Sequence, residues 1–366
     1  MLRSSPLVIA SISALLVLGC DSNAPLELAR NPAAPSLAKG GPDVGSEFAT
    51  RTALPPLPGG AHGEAYAIDR AGTLIGGYSW DKAGLMHPVT WSLVNGSWQI
   101  TAYPWDVTAT GAVIRGINDN RDKAGTFQQF GSAPRAVIWN AVGSFTVLGC
   151  NEVGEVYGLS SGAQVVVGTY RSATSSIATV WRPGQCRESL PSLTAGGYAA
   201  AYAVNGGGTI IGGTSSGVPV RWRRVNGSWQ VEQLDSRQGG VLGANSAGDL
   251  VGALGSACSP SAAGCRTDIG IVWYANGGSR VLPSLGGGVT APRAINSAGE
   301  VVGLSTLANG TGVPFIWSET LGIRQLPLSK DGWAFTISDV RADGTRLVAG
   351  AGGRPFSAQV WVVRNP

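Results

Sequence analysis

The chain has 366 residues, with 55 glycines, 12 tryptophans and only 13% charged residues, where an average globular protein carries about 25%. That balance excludes the disordered class, whose members are poor in aromatics and high in net charge. The formal net charge of +4 is spread without a Lys/Arg run, so a nucleic-acid partner finds no basic stripe to bind.

Met1 to Gly19 reads as an export signal. Arg3 gives a positive start, and Leu7 to Leu18 is an apolar stretch of signal-core length, shorter than the ~20 residues of a spanning helix. It ends in Val17-Leu18-Gly19-Cys20, which resembles the lipobox of bacterial lipoproteins. The resemblance implies lipidation of Cys20 and anchorage to a bacterial membrane, facing the periplasm or the cell surface. A plain secretory signal with an incidental Cys is the alternative. Asp21 to Thr52 is rich in Ala, Pro, Gly and Ser and predicts a flexible tether with a reach of roughly 30 Å. Residues 1–19 are thus signal, 20–52 lipidated Cys and tether, and 53–366 a single folded domain.

Beyond the tether, seven tryptophans recur: Trp91, Trp139, Trp181, Trp222, Trp273, Trp317 and Trp361, at spacings of 48, 42, 41, 51, 44 and 44 residues. A period of about 40–50 residues marks repeat architectures, propellers among them. Each unit begins with a short strand and a turn, as in Arg293-Ala294-Ile295-Asn296 before Ser297-Ala298-Gly299. It continues with a strand ending in Gly, Glu300-Val301-Val302-Gly303, and then the Trp strand, Val313-Pro314-Phe315-Ile316-Trp317. A fourth strand follows. Val94-Asn95-Gly96-Ser97 and Val225-Asn226-Gly227-Ser228 predict type I′ hairpins into it, because Asn and Gly tolerate positive φ. Four strands per unit and seven units predict an all-β, seven-bladed β-propeller of four-stranded blades.

The chain ends just after the Trp361 strand, without a fourth strand. Leu54-Pro55-Pro56-Leu57 carries the Leu-Pro-x-Leu signature that closes fourth strands, as in Leu190-Pro191-Ser192-Leu193 and Leu282-Pro283-Ser284-Leu285. This N-terminal segment is therefore expected to complete the seventh blade and close the ring by pairing with Ala358 to Val363.

The run A-x-A-I-N-x-x-G-x-V-V-G before a Trp strand, clearest at Ala294 to Trp317, resembles the HAF repeat of bacterial extracellular proteins. The resemblance extends from Ala65 to Trp361 and weakens in the second repeat, at Lys123-Ala124-Gly125, and in the seventh. It implies an exported β-repeat protein and supplies no catalytic residues.

Removing Cys20 leaves four cysteines in an oxidising compartment. Cys258 and Cys265 bracket Ser-Pro-Ser-Ala-Ala-Gly and are expected to staple that loop with a disulfide. Parity would pair Cys150 with Cys186, while the repeat register argues against it, so that pair stays open.

Residues repeated in every blade do a blade's work, so recognition is sought where repeats differ. Two residues before the aligned apolar position stand Tyr66, Arg115, Tyr157, Tyr202, Leu242, Arg293 and Ser338. Six of these predict an inner ring suited to a sugar or carboxylate: Tyr66, Arg115, Tyr157, Tyr202, Arg293 and Ser338. The competing reading has each Tyr or Arg packing over the small residue of the neighbouring blade. His62 and His87 are the only histidines and make no metal-ligand spacing. No nucleophile elbow is present.

The expectation is a monomeric, non-enzymatic binding module at the cell envelope, held to the membrane at Cys20, without cofactor or metal. Its ligand is a glycan or an envelope protein. The alternative is a polysaccharide-active enzyme, a lyase or glycosidase, with its site at the propeller axis and Tyr or His as proton acceptor.

Overall fold

The computed structural model describes residues 48–364, apart from 106–108, 130–131, 173–174, 256–267, 328–331 and 354–355. The segment read as an export signal, Cys20, most of the expected tether, and Cys258 and Cys265 with their expected disulfide lie outside the described residues. Asp43–Pro366 makes one compact unit, and apart from a 3-10 turn at Gly149–Asn151 its described elements are strands.

Local chemistry explains the strand spacing. After the first strand of a repeat, an Asn or its substitute folds the turn by accepting backbone N–H groups. Asn205 Oδ1 takes those of Thr209 (2.8 Å) and Ile210 (2.9 Å), and Asn296 Oδ1 takes that of Glu300 (2.9 Å). The Gly three positions on adopts positive φ, 67° at Gly208 and 77° at Gly299. Arg121 fills this place in the second repeat at φ 63°. Asn95-Gly96 and Asn226-Gly227 take the left-handed conformation at both residues, as the hairpin reading expects.

Among the described residues there are five four-stranded sheets and one of eight strands. The larger sheet consists of two antiparallel four-strand runs, joined at a single parallel pair, Met86 with Gly111. The fold is therefore all-β, built from four-strand units. Apolar clusters hold the units face to face. Val167, Val180 and Leu190 pack against Ala201, Ile211 and Trp222 of the next unit. Trp361 and Val348 pack against Val302 and Ile316. Another cluster joins the first unit to the last, through Ala65, Ile75 and Trp91 against Leu347, Ala349 and Val360.

The seven tryptophans lie in this interior. Several indoles also reach the segment leading into their own unit: Trp91 Nε1 donates to the Pro55 carbonyl (2.8 Å), Trp139 to Pro104 (2.7 Å), Trp222 to Pro191 (2.7 Å) and Trp361 to Pro327 (2.8 Å). Proline is suited to this bridging segment because it needs no partner for a missing N–H.

The pairing of the N-terminal segment differs from expectation. The strand that pairs with Ser357–Val363 is Ala49–Ala53, in register Ala49 to Val363 and Ala53 to Gln359. Leu54 continues only by donating its N–H to Ala358 O (2.9 Å), after which Pro55 receives Trp91. Leu54 to Leu57 is therefore the strap after the strand, and residues 49–52, assigned to the tether above, belong to the sheet. The physical reason is general: Leu190, Leu282 and Leu326 also sit one residue past their strands.

The structure also settles the cysteine pair that the sequence left open. Cys150 and Cys186 are disulfide-bonded, with Cα atoms 5.2 Å apart. Cys150 sits in the 3-10 turn that crosses from one unit to the next, and Gly149 lies against the Trp181 indole. The crossing segment thus belongs spatially to the unit of Cys186, which a register counted along the chain misses. Glu152 and Arg187 pair across the same junction at 2.7 Å.

Candidate functional site

In every unit the first two strands skip one residue in their pairing. Ala65 faces Gly77 and Ala67 faces Gly76, leaving Tyr66 unmatched. The same bulge falls at Arg115, Tyr157, Tyr202, Leu242, Arg293 and Phe335. A bulge re-aims its side chain. The glycine opposite permits it: a Cβ on Gly77, Gly168 or Gly350 would lie 1.9 Å from the carbonyl oxygen of Glu64, Glu155 or Trp333. This Gly does not end the second strand, as the sequence suggested, but lies within it, at Gly77 of Leu74–Trp80 and Gly168 of Val166–Arg171, where it is a steric condition for the bulge.

The bulges surround one cavity of about 220 Å³, lined by Tyr66, Arg115, Tyr157, Leu242, Arg293 and Phe335 among others. Tyr202 packs edge-on against Tyr157, with ring centres 5.1 Å apart. Five of the six predicted ring residues are thus bulge residues of one cluster. Ser338 is not. It is fully buried, its Oγ accepts the Leu347 N–H (3.0 Å) and donates to Asp339 O (2.9 Å), and it does the work of the turn Asn. Phe335 holds the ring place. The small residues that follow the bulges face the neighbouring first strand where glycine stands. A Cβ on Gly116 would meet Leu159 Cβ at 2.6 Å, so these positions let adjoining first strands approach.

The bulge side chains are half-buried and tied to one another. Tyr66 OH donates to the Glu64 carboxylate, and Tyr157 OH to Glu155 Oε2 at 2.6 Å. Arg115 lies 4.0 Å above the Tyr66 ring, which also meets Phe335 at 4.9 Å. Arg293 lies 4.9 Å from the centre of Trp333, itself stacked on Phe335. Tyr202 and Tyr198 share a hydrogen bond of 3.2 Å.

Burial pushes the Tyr66, Tyr78, Tyr157 and Tyr202 phenols well above the usual tyrosine range, and neighbouring acids or phenols add to the rise. Arg115 opposes it at Tyr66 and Tyr157 without overcoming it. These phenols are neutral hydrogen-bond donors at physiological pH. Burial lowers the Arg293 pKa, with Tyr66 and Asp268 opposing, and its Nε is buried without a hydrogen-bond partner.

At the turn end the cavity is rimmed by polar contacts between units. Arg70 pairs with Asp119 at 2.6 Å, and Ser297 donates to Asp339 through its N–H (2.7 Å) and hydroxyl (2.9 Å). Of the histidines, His62 is exposed, while His87 Nε2 lies 3.0 Å from Asp81 Oδ2 and against Trp105. Neither lines the cavity. Among the described residues no cluster of three His, Cys, Asp or Glu side chains could hold a metal.

Sequence reasoning missed Glu155, Phe335 and Trp333, and it placed Glu64 in a rim loop beside His62 where the structure has it within the strand Gly63–Ile68. The two acids had a signal: Gly63-Glu64-Ala65-Tyr66 and Gly154-Glu155-Val156-Tyr157 are the same Gly-Glu-x-Tyr run, two repeats apart. Alternation along a strand puts Glu and Tyr on one face.

No family model matches the chain, and no curated protein matches it. Solved structures do. A streptogramin B lyase matches with a TM-score of 0.56 at 11% identity, covering 87% of this chain and 98% of that one. A catalytically inactive virginiamycin B lyase from Staphylococcus aureus with quinupristin matches with a TM-score of 0.54 at 11% identity, covering 86% and 99%. The β-propeller domain of the Trilobed protease from Pyrococcus furiosus matches with a TM-score of 0.49 at 9% identity, covering 86% and 93%. These likenesses correct the expectation of a non-enzymatic protein. Two of the matching structures are lyases, so this fold hosts catalysis, and the missing motifs give no ground for excluding it. What the chain shares with them is the propeller-like fold.

Proposed function

We propose that this chain is an exported, lipid-anchored, seven-bladed propeller that takes a glycan at its axis. The observation that carries this is the convergence of six bulge residues on one cavity, with the seventh, Tyr202, packed against Tyr157 behind them. The blade count is supported by seven four-strand runs, and ring closure by the pairing of Ala49–Ala53 with Ser357–Val363. Attachment through Cys20, the tether and membership of the HAF-repeat proteins rest on the sequence motifs. Phenol donors, guanidinium groups and an aromatic wall are the side chains that sugar hydroxyls, carboxylates and ring faces engage.

Glycan-array binding by the wild-type protein, lost in the Tyr157→Phe/Arg293→Ala variant, is the expected result. Binding that survives both substitutions would remove the cavity from the role.

A second reading, a polysaccharide-active enzyme at the same site, is favoured by the carboxylates hydrogen-bonded to the cavity-lining Tyr66 and Tyr157, and two lyases share the fold. In that reading the neutral phenols donate protons to a leaving oxygen, and a carboxylate is the better acceptor. Turnover on a panel of acidic polysaccharides, absent in Tyr157→Phe, separates it from binding alone.

A further inference from the structure

Arg115 sits on the first strand between the two that carry the Glu–Tyr pairs, yet neither acid neutralises it. Among the described residues it has no ion-pair partner: it lies over the face of Tyr66, reaches that residue's hydroxyl, and has the Tyr157 phenol nearby. Each nearby carboxylate is held from two sides by other groups. Glu64 accepts from Tyr66 OH and interacts with the Tyr78 phenol. Glu155 accepts from Tyr157 OH at 2.6 Å and pairs with Arg171 at 3.1 Å. The arrangement is duplicated at residue level, since both strands carry Gly-Glu-x-Tyr.

An unheld carboxylate near a half-desolvated guanidinium would close onto it, because opposite charges attract strongly away from bulk water. The Tyr66 hydroxyl holds Glu64 while its ring lies 4.0 Å under Arg115, so the acid is within a side chain's swing of the guanidinium. Arg293 repeats the pattern across the cavity: it lies against Trp333 and has a buried, unpartnered Nε.

We propose that the phenols at Tyr66, Tyr78 and Tyr157 act as struts that keep Glu64 and Glu155 off Arg115, leaving its planar fork open for the carboxylate of an acidic sugar. This rests on the glycan reading of the axial site and gives the substrate class, a hexuronate-containing glycan. The three tyrosines are positioning residues. A guanidinium already paired within the protein would gain little from a ligand carboxylate. An open one gains a charge-assisted, two-point hydrogen bond.

The test needs no ligand for its first arm. Phenylglyoxal modifies accessible, unpaired arginines, and its rate at Arg115 is read by peptide mass spectrometry. The Tyr66→Phe/Tyr78→Phe variant frees Glu64 to pair with Arg115, and modification should slow several-fold. Adding Glu64→Gln should restore the wild-type rate, which a general loss of packing would not. An unchanged rate in the double variant, or slowing that persists with Glu64→Gln, overturns the struts. If that variant does not fold, Tyr157→Phe/Arg171→Ala with and without Glu155→Gln carries the same comparison.

The second arm adds tri-galacturonate or its neutral reduced analogue to the wild-type protein. Protection of Arg115 by the acid alone is expected. Equal protection by both, or by neither, overturns the acidic-sugar class, while the first arm still decides the struts.

Discussion

At the scale of single residues, the repeat's exceptions are the informative positions. Arg121 takes a left-handed φ where Gly72, Gly208, Gly248 and Gly299 stand in other turns, and that conformation costs a non-Gly residue about 1–2 kcal/mol. Arg121→Gly should raise the unfolding free energy by about 1 kcal/mol, a shift in the urea midpoint at constant slope. The buried tyrosines Tyr66, Tyr78, Tyr157 and Tyr202 predict a pH dependence. Burial raises their phenol pKa values in the folded chain, whereas an unfolded tyrosine ionises near pH ~10. Their contribution to stability is therefore intact below about pH 10 and is lost as pH climbs toward the folded values. The melting temperature should fall more steeply above about pH 10 in the wild-type chain than in a variant with all four replaced by Phe. An ultraviolet phenolate titration should show these four phenols, and Tyr274, whose pKa is also raised, ionising above the usual tyrosine range.

At the scale of the strand pair, bulge and glycine are one device. Gly168→Ala would place a Cβ 1.9 Å from the Glu155 carbonyl oxygen. Overpacking of this kind costs about 1–3 kcal/mol. The expected result is a lower melting temperature together with a displaced Tyr157, seen as lost ligand protection at Arg115; an unperturbed variant would show that the bulge does not depend on the glycine. The Trp period, the Asn-x-x-Gly turns and the Asn-Gly hairpins were legible in the sequence because each is a local requirement on one residue type. The bulge was not, since any residue can occupy it. Its distance to the following Gly is 10 or 11 residues in six repeats but 15 from Phe335 to Gly350, where the turn is longer. Counting back 10 or 11 residues from Gly350 stops short of the strand Gly332–Ile337, and taking Val340 as the aligned apolar position put Ser338 in the place of Phe335. Thr336 in place of the usual Ala or Gly hid the true register further. Glu64 and Glu155 were legible in principle from the repeated Gly-Glu-x-Tyr. The seam strand Ala49–Ala53 was masked by the polar composition it shares with the tether.

At the scale of the whole molecule, the first and last parts of the sequence meet in one sheet. Removing Ala49–Ala53 would strip the outer strand from Ser357–Val363 and leave its backbone groups unpaired at an edge. Because Ala65, Trp91, Leu347 and Val360 share one cluster beside that sheet, the loss should lower the melting temperature of the entire domain in one transition. An unchanged midpoint would count against the proposed ring closure. The bulges have a further consequence for how such a molecule changes over time. The backbone decides where each of the seven side chains points, and the glycine opposite secures that direction whatever the side chain is. Direction and identity are thereby inherited separately. Leu242 holds the same kind of place as Arg115 and Arg293, so exchanging it for Arg or Tyr would alter the chemistry of the cavity with the frame left as it stands. A new specificity is reachable through single substitutions at seven addressable sockets, each with an intact fold on either side of the change.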